Sequence, residues 1–232
     1  MQILRAARAN NRVYARPQDW ALVGEATDFM LPCLTDGSQT AGSAHELVDY
    51  GWTVTSVTQG SGSTADFLLQ ADSSSDMGWS FDGVNDELLS PQMFGSYWRG
   101  QLAAETLGYS PTKLIAEIIA VWTTATANET ITGFGFSTGT GLTGTNHVAY
   151  IYTDGSNFSI RNQQGSDVGA ADDALFHVFR IEMTQGGSIE WFIDSTSQGT
   201  IPMEQDKFPT RFAASSSTTN RFTIVWGHIW YE

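Results

Sequence analysis

From residue 76 onward, apolar and polar positions alternate in short runs broken by Gly, Asn, Asp and Ser. A period of two is the mark of strands with one buried face. The pattern predicts strands over 78–82, 86–90, 113–125, 131–137, 146–153, 156–162, 175–184, 188–195, 198–203 and 221–231. Between them, "TDGSN" (153–157) and "TQGGS" (184–188) supply Asp-Gly and Gly-Gly, which adopt positive φ and turn neighbouring strands back antiparallel. "LIAEIIAVWTT" has helical length, but its Ile, Val, Trp and Thr favour a strand inside a sandwich core. Strands at this spacing with antiparallel turns imply an all-β chain: a two-sheet antiparallel β-sandwich of jelly-roll type over 76–232.

The pattern loosens upstream. Residues 20–75 hold strand candidates at 28–34, 50–58 and 65–70 between Gly/Ser-rich turns, and either complete the sandwich or form a separate lobe. "GWTVTSVT" sets Trp52, Val54 and Ser56 on one face and Thr53, Thr55 and Val57 on the other, as a half-buried strand at an edge would. "QLAAETL" (101–107) is the best short helix. Residues 1–19 form a third unit. Arg5, Arg8, Arg12 and Arg16 are spaced three, four and four apart, which aligns them in one stripe on a helix. Asn10 and Asn11 weaken that helix and Pro17 ends or redirects it. Such an arm is either a solvated tail or an anchor held by another copy or a different protein.

Charge sharpens this division. The chain carries −14 at a pI near 4.4, yet no acid precedes Asp19, so the arm is basic and the body acidic. An acidic body excludes duplex nucleic acid as its partner, because phosphate binding needs clustered Lys and Arg. Charged residues are 16% of the chain, against about 25% in an average soluble domain, and Gly, Ser and Thr take their place, as in turn-rich surface proteins. The single cysteine, Cys33 in "DFMLPCL", reads as a buried thiol. No apolar h-region follows the N-terminal arginines, and no apolar run approaches the roughly 18 residues that span a bilayer. The expectation is a soluble protein with no signal peptide and no membrane insertion.

The order of motifs resembles the concanavalin A-like, laminin-G-like jelly rolls. "WSFDGVNDELLSP" resembles their opening strand, "LIAEIIAVWTT" their long central strand, "FHVFRIEMTQGGSIEWFIDSTSQGTIP" their most recognisable hairpin, and "FTIVWGHIWYE" the closing strand. The likeness covers about 76–232. Its motifs are generic, and the family spans lectins, glycosidases, adhesion modules and phage virion proteins.

The glycosidase branch resembles Glu-x-Asp-x-x-Glu on one strand. Retaining chemistry needs carboxyls about 5–5.5 Å apart. Here Glu190 and Asp194 are four apart, roughly 13 Å along a strand, with Phe192 between them. Glu182 could lie across the hairpin from Glu190, with solvent from the Gly186-Gly187 turn reaching both. No catalytic residue is assigned. His177 and His228 sit inside strand patterns and read as structural histidines. No histidine pair has zinc-ligand spacing. Calcium, common in lectin-like sandwiches by the resemblance, has weak candidates in Asp82, Asp86 and Asp154, each also explained by its turn. Trp79, Trp122, Trp191 and Trp226 fall in strands and are assigned to the core, whereas Phe94, Tyr97, Trp98 and Arg99 in "MFGSYWRG" form a loop able to contact a glycan or a protein neighbour.

These readings, with the resemblance, imply a non-enzymatic structural protein of a tailed-phage virion, of capsid decoration (cement) or head-fibre type. It would be made in the host cytoplasm, form a homo-oligomer, and attach to capsid or tail proteins through Arg5, Arg8, Arg12 and Arg16. The alternative is a carbohydrate-binding or receptor-binding tail module for a host surface glycan, and a glycoside hydrolase ranks third. No cofactor beyond a possible calcium ion is expected.

Overall fold

Leu114, Ala116, Ile118, Ala120 and Trp122 share one face of a twelve-residue strand, β6 (Lys113–Thr124), and in the computed structural model all five are at most 1% exposed. That face looks into the gap between two antiparallel sheets, and the run is a strand as its β-branched content predicts. The structure describes residues 27–29, 53–55, 58–59, 79–81, 86–90, 112–124, 132–139, 142, 146–204, 209, 211–216 and 221–232. Among these there are fifteen strands and no helix. The other strands are β1 (Thr27–Phe29), β2 (Thr53–Thr55), β3 (Thr58–Gln59), β4 (Trp79–Phe81), β5 (Glu87–Leu89), β7 (Gly133–Ser137), β8 (His147–Thr153), β9 (Asn157–Arg161), β10 (Ser166–Ala171), β11 (His177–Thr184), β12 (Ser188–Ile193), β13 (Thr196–Pro202), β14 (Arg211–Ser215) and β15 (Arg221–Tyr231).

Sheet 1 runs β13-β12-β11-β6-β15-β4-β3, with β1 also on β15; sheet 2 runs β10-β9-β8-β7-β14-β5-β2. The chain makes a meander from β7 to β10 in one sheet, then from β11 to β13 in the other. Two turns fix that second meander. Thr184–Gly187 closes with Gly187 N–H donating to the Thr184 carbonyl at 3.0 Å, and Gly186 takes φ +69°. The next hairpin has a two-residue loop, Asp194 (φ +49°) and Ser195 (φ +67°), whose paired positive φ values match the strand twist.

Several expectations need correcting. "GWTVTSVT" is not one strand: β2 pairs with β5 in sheet 2 and β3 with β4 in sheet 1, so the segment crosses between sheets and ends each of them at an edge. Three strands were not anticipated. Besides β3, these are β10 ("SDVGAA") and β14 ("RFAAS"), which lack the β-branched, alternating signature. Both are held by context: β10 by β9, β14 between β7 and β5. The predicted strand 65–70, the helix 101–107 and Cys33 lie outside the described residues. Residues 27–59 contribute β1, β2 and β3 to the two sheets.

The core is aromatic. Trp122 meets Phe134 at 5.5 Å and Phe158 at 5.6 Å across the gap, and Phe179 and Phe222 at 5.4 Å within its own sheet. Phe81 stacks on Phe222 at 4.3 Å, and Phe212 touches Phe134 and Phe136. Such pairs add about 0.5–1.5 kcal/mol each beyond the area they bury. Behind sheet 2 a second small cluster forms: Leu142, from the β7–β8 connection, packs with Leu89, Tyr150 and Ala213. Burial there pushes the Tyr150 phenol well up from its ordinary pKa, against the opposing pull of Arg161, whose guanidinium lies 4.9 Å over the ring. Gly135 keeps β7 and β8 close: a Cβ there would meet the Ala149 carbonyl oxygen at 2.1 Å.

The indole N–H of Trp122 is buried with no hydrogen-bond partner among the described residues. An unsatisfied buried donor costs about 1–3 kcal/mol. Trp122→Phe, which deletes that donor and part of the ring, should therefore cost far less than Trp122→Ala, expected near 3–5 kcal/mol. Denaturant unfolding of the two variants checks this; a loss for Trp122→Phe as large as that for Trp122→Ala would show that a phenyl ring cannot replace the indole at this position.

Candidate functional site

In β11, Phe179, Ile181 and Met183 fill the core, which turns Arg180 and Glu182 to the outer face of sheet 1. The same alternation brings Glu190 and Phe192 of β12 to that face, between the core residues Ile189, Trp191 and Ile193. Register then aligns two rows across the sheet. One runs Phe192, Arg180, Glu117 and His228; the other runs Glu190, Glu182, Ile115 and Trp230.

Glu182 and Glu190 thus stand directly opposite, as the hairpin allowed. Like charges so placed repel unless each has a partner. Glu182 accepts from Lys113 Nζ at 2.9 Å and also pairs with Arg180, so both of its oxygens are engaged by cations. The pairing raises the Lys113 pKa, chiefly through the hydrogen bond and charge of Glu182. Glu190 accepts from the Ser197 hydroxyl at 2.7 Å. The expectation that solvent bathes both acids is wrong for Glu182, whose side chain is only 10% exposed. Lys113 and Arg180 cover it. The Arg180 guanidinium sits 5.6 Å from the Phe192 ring and 5.7 Å from the Trp230 ring, and Trp230 stacks on His228 at 4.6 Å. The outcome is a row of planar groups from three strands, Phe192 of β12, Arg180 of β11 and Trp230 and His228 of β15, passing over β6.

A second polar cluster lies at one end of the sandwich. His177 Nδ1 is 2.6 Å from Asp194 Oδ2, and its Nε2 is 2.9 Å from Asp173 Oδ1. The ring meets Phe158 and Phe179 edge-on. His177 is therefore a satisfied histidine at the border of the core, as its strand pattern suggested.

The remaining sequence candidates are dispersed. Arg5, Arg8, Arg12, Arg16, Phe94, Tyr97, Trp98, Arg99 and Asp82 lie outside the described residues. Asp86 is 2% exposed, and its carbonyl accepts from Ser216 N–H. Asp154 closes its turn by accepting from the Ser156 and Asn157 amides at 2.9 and 2.8 Å. Among the described residues no three His, Cys, Asp or Glu side chains converge as metal ligands; Asp82, one of the three calcium candidates, lies outside them. Trp122 and Trp191 are core residues as assigned; nothing is described of the Trp79 and Trp226 side chains. Sequence reading missed Lys113 and Arg180 as partners of Glu182, and Trp230 as the ring beside Arg180. Their signal was the outward phase of each strand, usable only once β6 is known to lie between β11 and β15.

No protein-family model matches the chain, and no characterised protein matches it in sequence. Similar solved structures do exist. A structure named "Sialidase" matches at TM-score 0.52 and 8% identity over 89% of this chain, which spans 18% of that protein's length. A conserved carbohydrate esterase from the Shiga toxin-encoding bacteriophage phi24B matches at TM-score 0.49 and 12% identity, over 84% of this chain and 100% of that one. The binding domain of botulinum neurotoxin DC, in complex with rat synaptotagmin II, matches at TM-score 0.44 and 10% identity, over 83% of this chain and 47% of that one. At such identities the sialidase likeness shows the β-sandwich fold alone.

The ion pairs make the two hairpin acids unequal. Glu182→Gln strips two cations of their shared partner at a largely buried position and should cost about 1–3 kcal/mol. Glu190→Gln keeps an acceptor for Ser197 and should stay within about 0.5 kcal/mol. Urea unfolding measures both; equal small losses would show that water, not Glu182, satisfies Lys113 and Arg180.

Proposed function

We propose that the chain is a non-enzymatic structural protein of a phage virion, of capsid decoration or head-fibre type, anchored through its N-terminal arm. The observation that supports this reading most is β1. Thr27–Phe29 pairs with Gly227–Ile229 of β15, and β15 pairs along almost its whole length with β6. From Thr27, eight residues beyond the arm, the chain is thereby stitched to the longest strand pair of sheet 1 by backbone hydrogen bonds, which could bear a pull transmitted from the arm. The absence of a catalytic role rests on the hairpin acids: Glu182 is taken up by Lys113 and Arg180, and Glu190 by Ser197.

A second reading, a carbohydrate- or receptor-binding module, draws on the Phe192–Arg180–Trp230–His228 row, which offers ring edges and polar atoms on one sheet face. A glycan array separates the two. Under the first reading no glycan is retained; under the second a glycan binds and Phe192→Ala weakens it. Polysaccharide cleavage abolished by Glu182→Gln or Glu190→Gln would favour a hydrolase over both.

Deleting residues 1–18 should leave a sandwich with unchanged β-sheet circular dichroism that no longer co-sediments with its particle. Loss of the fold would instead make the arm part of the core. Attachment of the full chain should also loosen as ionic strength rises, because exposed charge pairs are screened over about 10 Å at 0.1 M salt. An affinity that is flat from low to high salt would mean that the arginines are incidental to an apolar contact.

A further inference from the structure

The end of the sandwich around His177 is put together so that one ring joins three segments. His177 begins β11; Asp173 belongs to the connection between β10 and β11; Asp194 is the first residue of the turn between β12 and β13. Each ring nitrogen faces a carboxylate oxygen, and a carboxylate can only accept. Both contacts are hydrogen bonds only when both nitrogens carry protons. A neutral ring satisfies one aspartate and turns a lone pair on the other.

We propose that His177 is a protonation-dependent clasp: the imidazolium ties the 172–176 connection to the Asp194–Ser195 turn, and loss of one proton frees that connection.

Each side of the clasp is built to receive it. Asp194 Oδ1 accepts from Val178 N–H at 2.9 Å, leaving Oδ2 for the ring, and Asp194 N–H donates to the Val178 carbonyl. The turn is thus fastened to β11 independently of the ring. The 172–176 connection is tied to sheet 2 at its first residue, where Asp172 N–H donates to the Ser156 carbonyl at 3.0 Å, and is fastened less well beyond it. Asp173 Oδ1 accepts from Leu175 N–H as well as from His177, and Asp172 accepts from Ala174 N–H and from the Thr153 hydroxyl. Ala174 sits at φ +59°, an unfavourable conformation for a residue with a Cβ, and Leu175 is 45% exposed. The ring's nitrogen contact to Asp173 is the link between this loop and β11's first side chain. On the other elements packed against the ring, β9 contributes Phe158 and the facing position on β6 is Ala120, neither of them charged. Asp173 and Asp194 are the charged groups that contact the ring among the described residues.

The direction of titration agrees with this geometry. Burial works against the charged ring, but the hydrogen bonds and charges of Asp194 and Asp173 outweigh it, so the His177 pKa lies above its ordinary value of 6.5. The Asp173 carboxyl is held below its ordinary range, chiefly by the same hydrogen bond. A pKa raised in the folded state means stability present in full below pH 6.5 and lost as pH climbs through the raised value. Asp173 gives the opposite edge: its share is present above pH 3.8 and lost as pH falls through its lowered value.

Two measurements on the full chain test the clasp: the His177 ring titration by NMR, and hydrogen exchange of amides 172–176 corrected for intrinsic base catalysis. The ring should titrate above 6.5. Opening of the loop should rise about tenfold per pH unit between that ordinary value and the clasped midpoint, then level off. In His177→Gln the corrected exchange should be flat with pH. Asp173→Asn keeps the ring and a hydrogen-bond acceptor but removes a charge, so it should lower the midpoint and shrink the rise; it serves as the deciding variant if His177→Gln does not fold. A wild-type ring titrating at or below 6.5, a midpoint untouched by Asp173→Asn, or loop exchange with no pH-dependent rise would each overturn the proposal.

Discussion

Trp122 is where the two sheets meet, and the rest of the architecture follows from the room it needs. Its indole fills the gap between β6 on one side and Phe134 and Phe158 on the other. Sheets packed face to face sit about 10 Å apart, so one large ring at the centre sets which neighbours can be large. Around it the inward positions are Phe, Ile and Leu from both sheets, while Ala116 and Ala120 on its own strand leave space for them. With the described inward positions given to the core, the polar clusters among the described residues fall on an outer face and at an end. The Glu182 network belongs to an outer face, and the His177 clasp to an end.

One side of the sandwich shows how the polar residues close what the aromatic core leaves open. β10 and β13 are edge strands of different sheets, and they lie against each other. Asp167 of β10 accepts from the Trp191 indole at 3.0 Å, and Gln198 of β13 accepts from Ala170 N–H at 2.9 Å. Gly169 and Gly199 permit the approach: a Cβ on the first would meet the Trp191 ring at 2.6 Å, and one on the second Asp167 at 2.0 Å. Asn162 and Glu204 add a third tie, through Pro202 O and Gln163 N. Exposed strand edges invite pairing with other chains, and here side chains and a terminal proline obstruct it.

That same side marks the limit of what alternation alone discloses. Wherever a strand has one face in the core and bulky residues to show it, as in β6, β8, β11, β12 and β15, the period of two located it within a few residues. β10 and β14 were hidden because glycine, alanine and serine are what their crowded positions require: Ala213 and Ala214 are wholly buried, and Gly169 has Trp191 above it. The candidate site was half legible for a different reason. Glu182 opposite Glu190 is local, since a short hairpin fixes the register. The cations that answer Glu182 are Arg180, two residues away, and Lys113, which is 69 residues away and arrives only through the pairing of β6 with β11. The clasp was likewise split, with Asp173 four residues from His177 and Asp194 seventeen away across a hairpin.

The strand directions give the molecule two unlike ends. Lys113, the Thr184–Gly187 turn, the Asn162–Gly165 turn and Glu232, whose carbonyl accepts from the Thr112 and Lys113 amides, share one end. Asp154, Asp172, Asp173 and Asp194 occupy turns at the other. The seven residue steps of β11 from His177 to Thr184, at about 3.3 Å each, set these ends roughly 23 Å apart. β1 runs antiparallel to β15, with Thr27 level with Ile229 and Ala116, so its first residue lies nearer the Lys113 end than its last, and its backbone extends sheet 1 beside the closing strand rather than beside either set of turns.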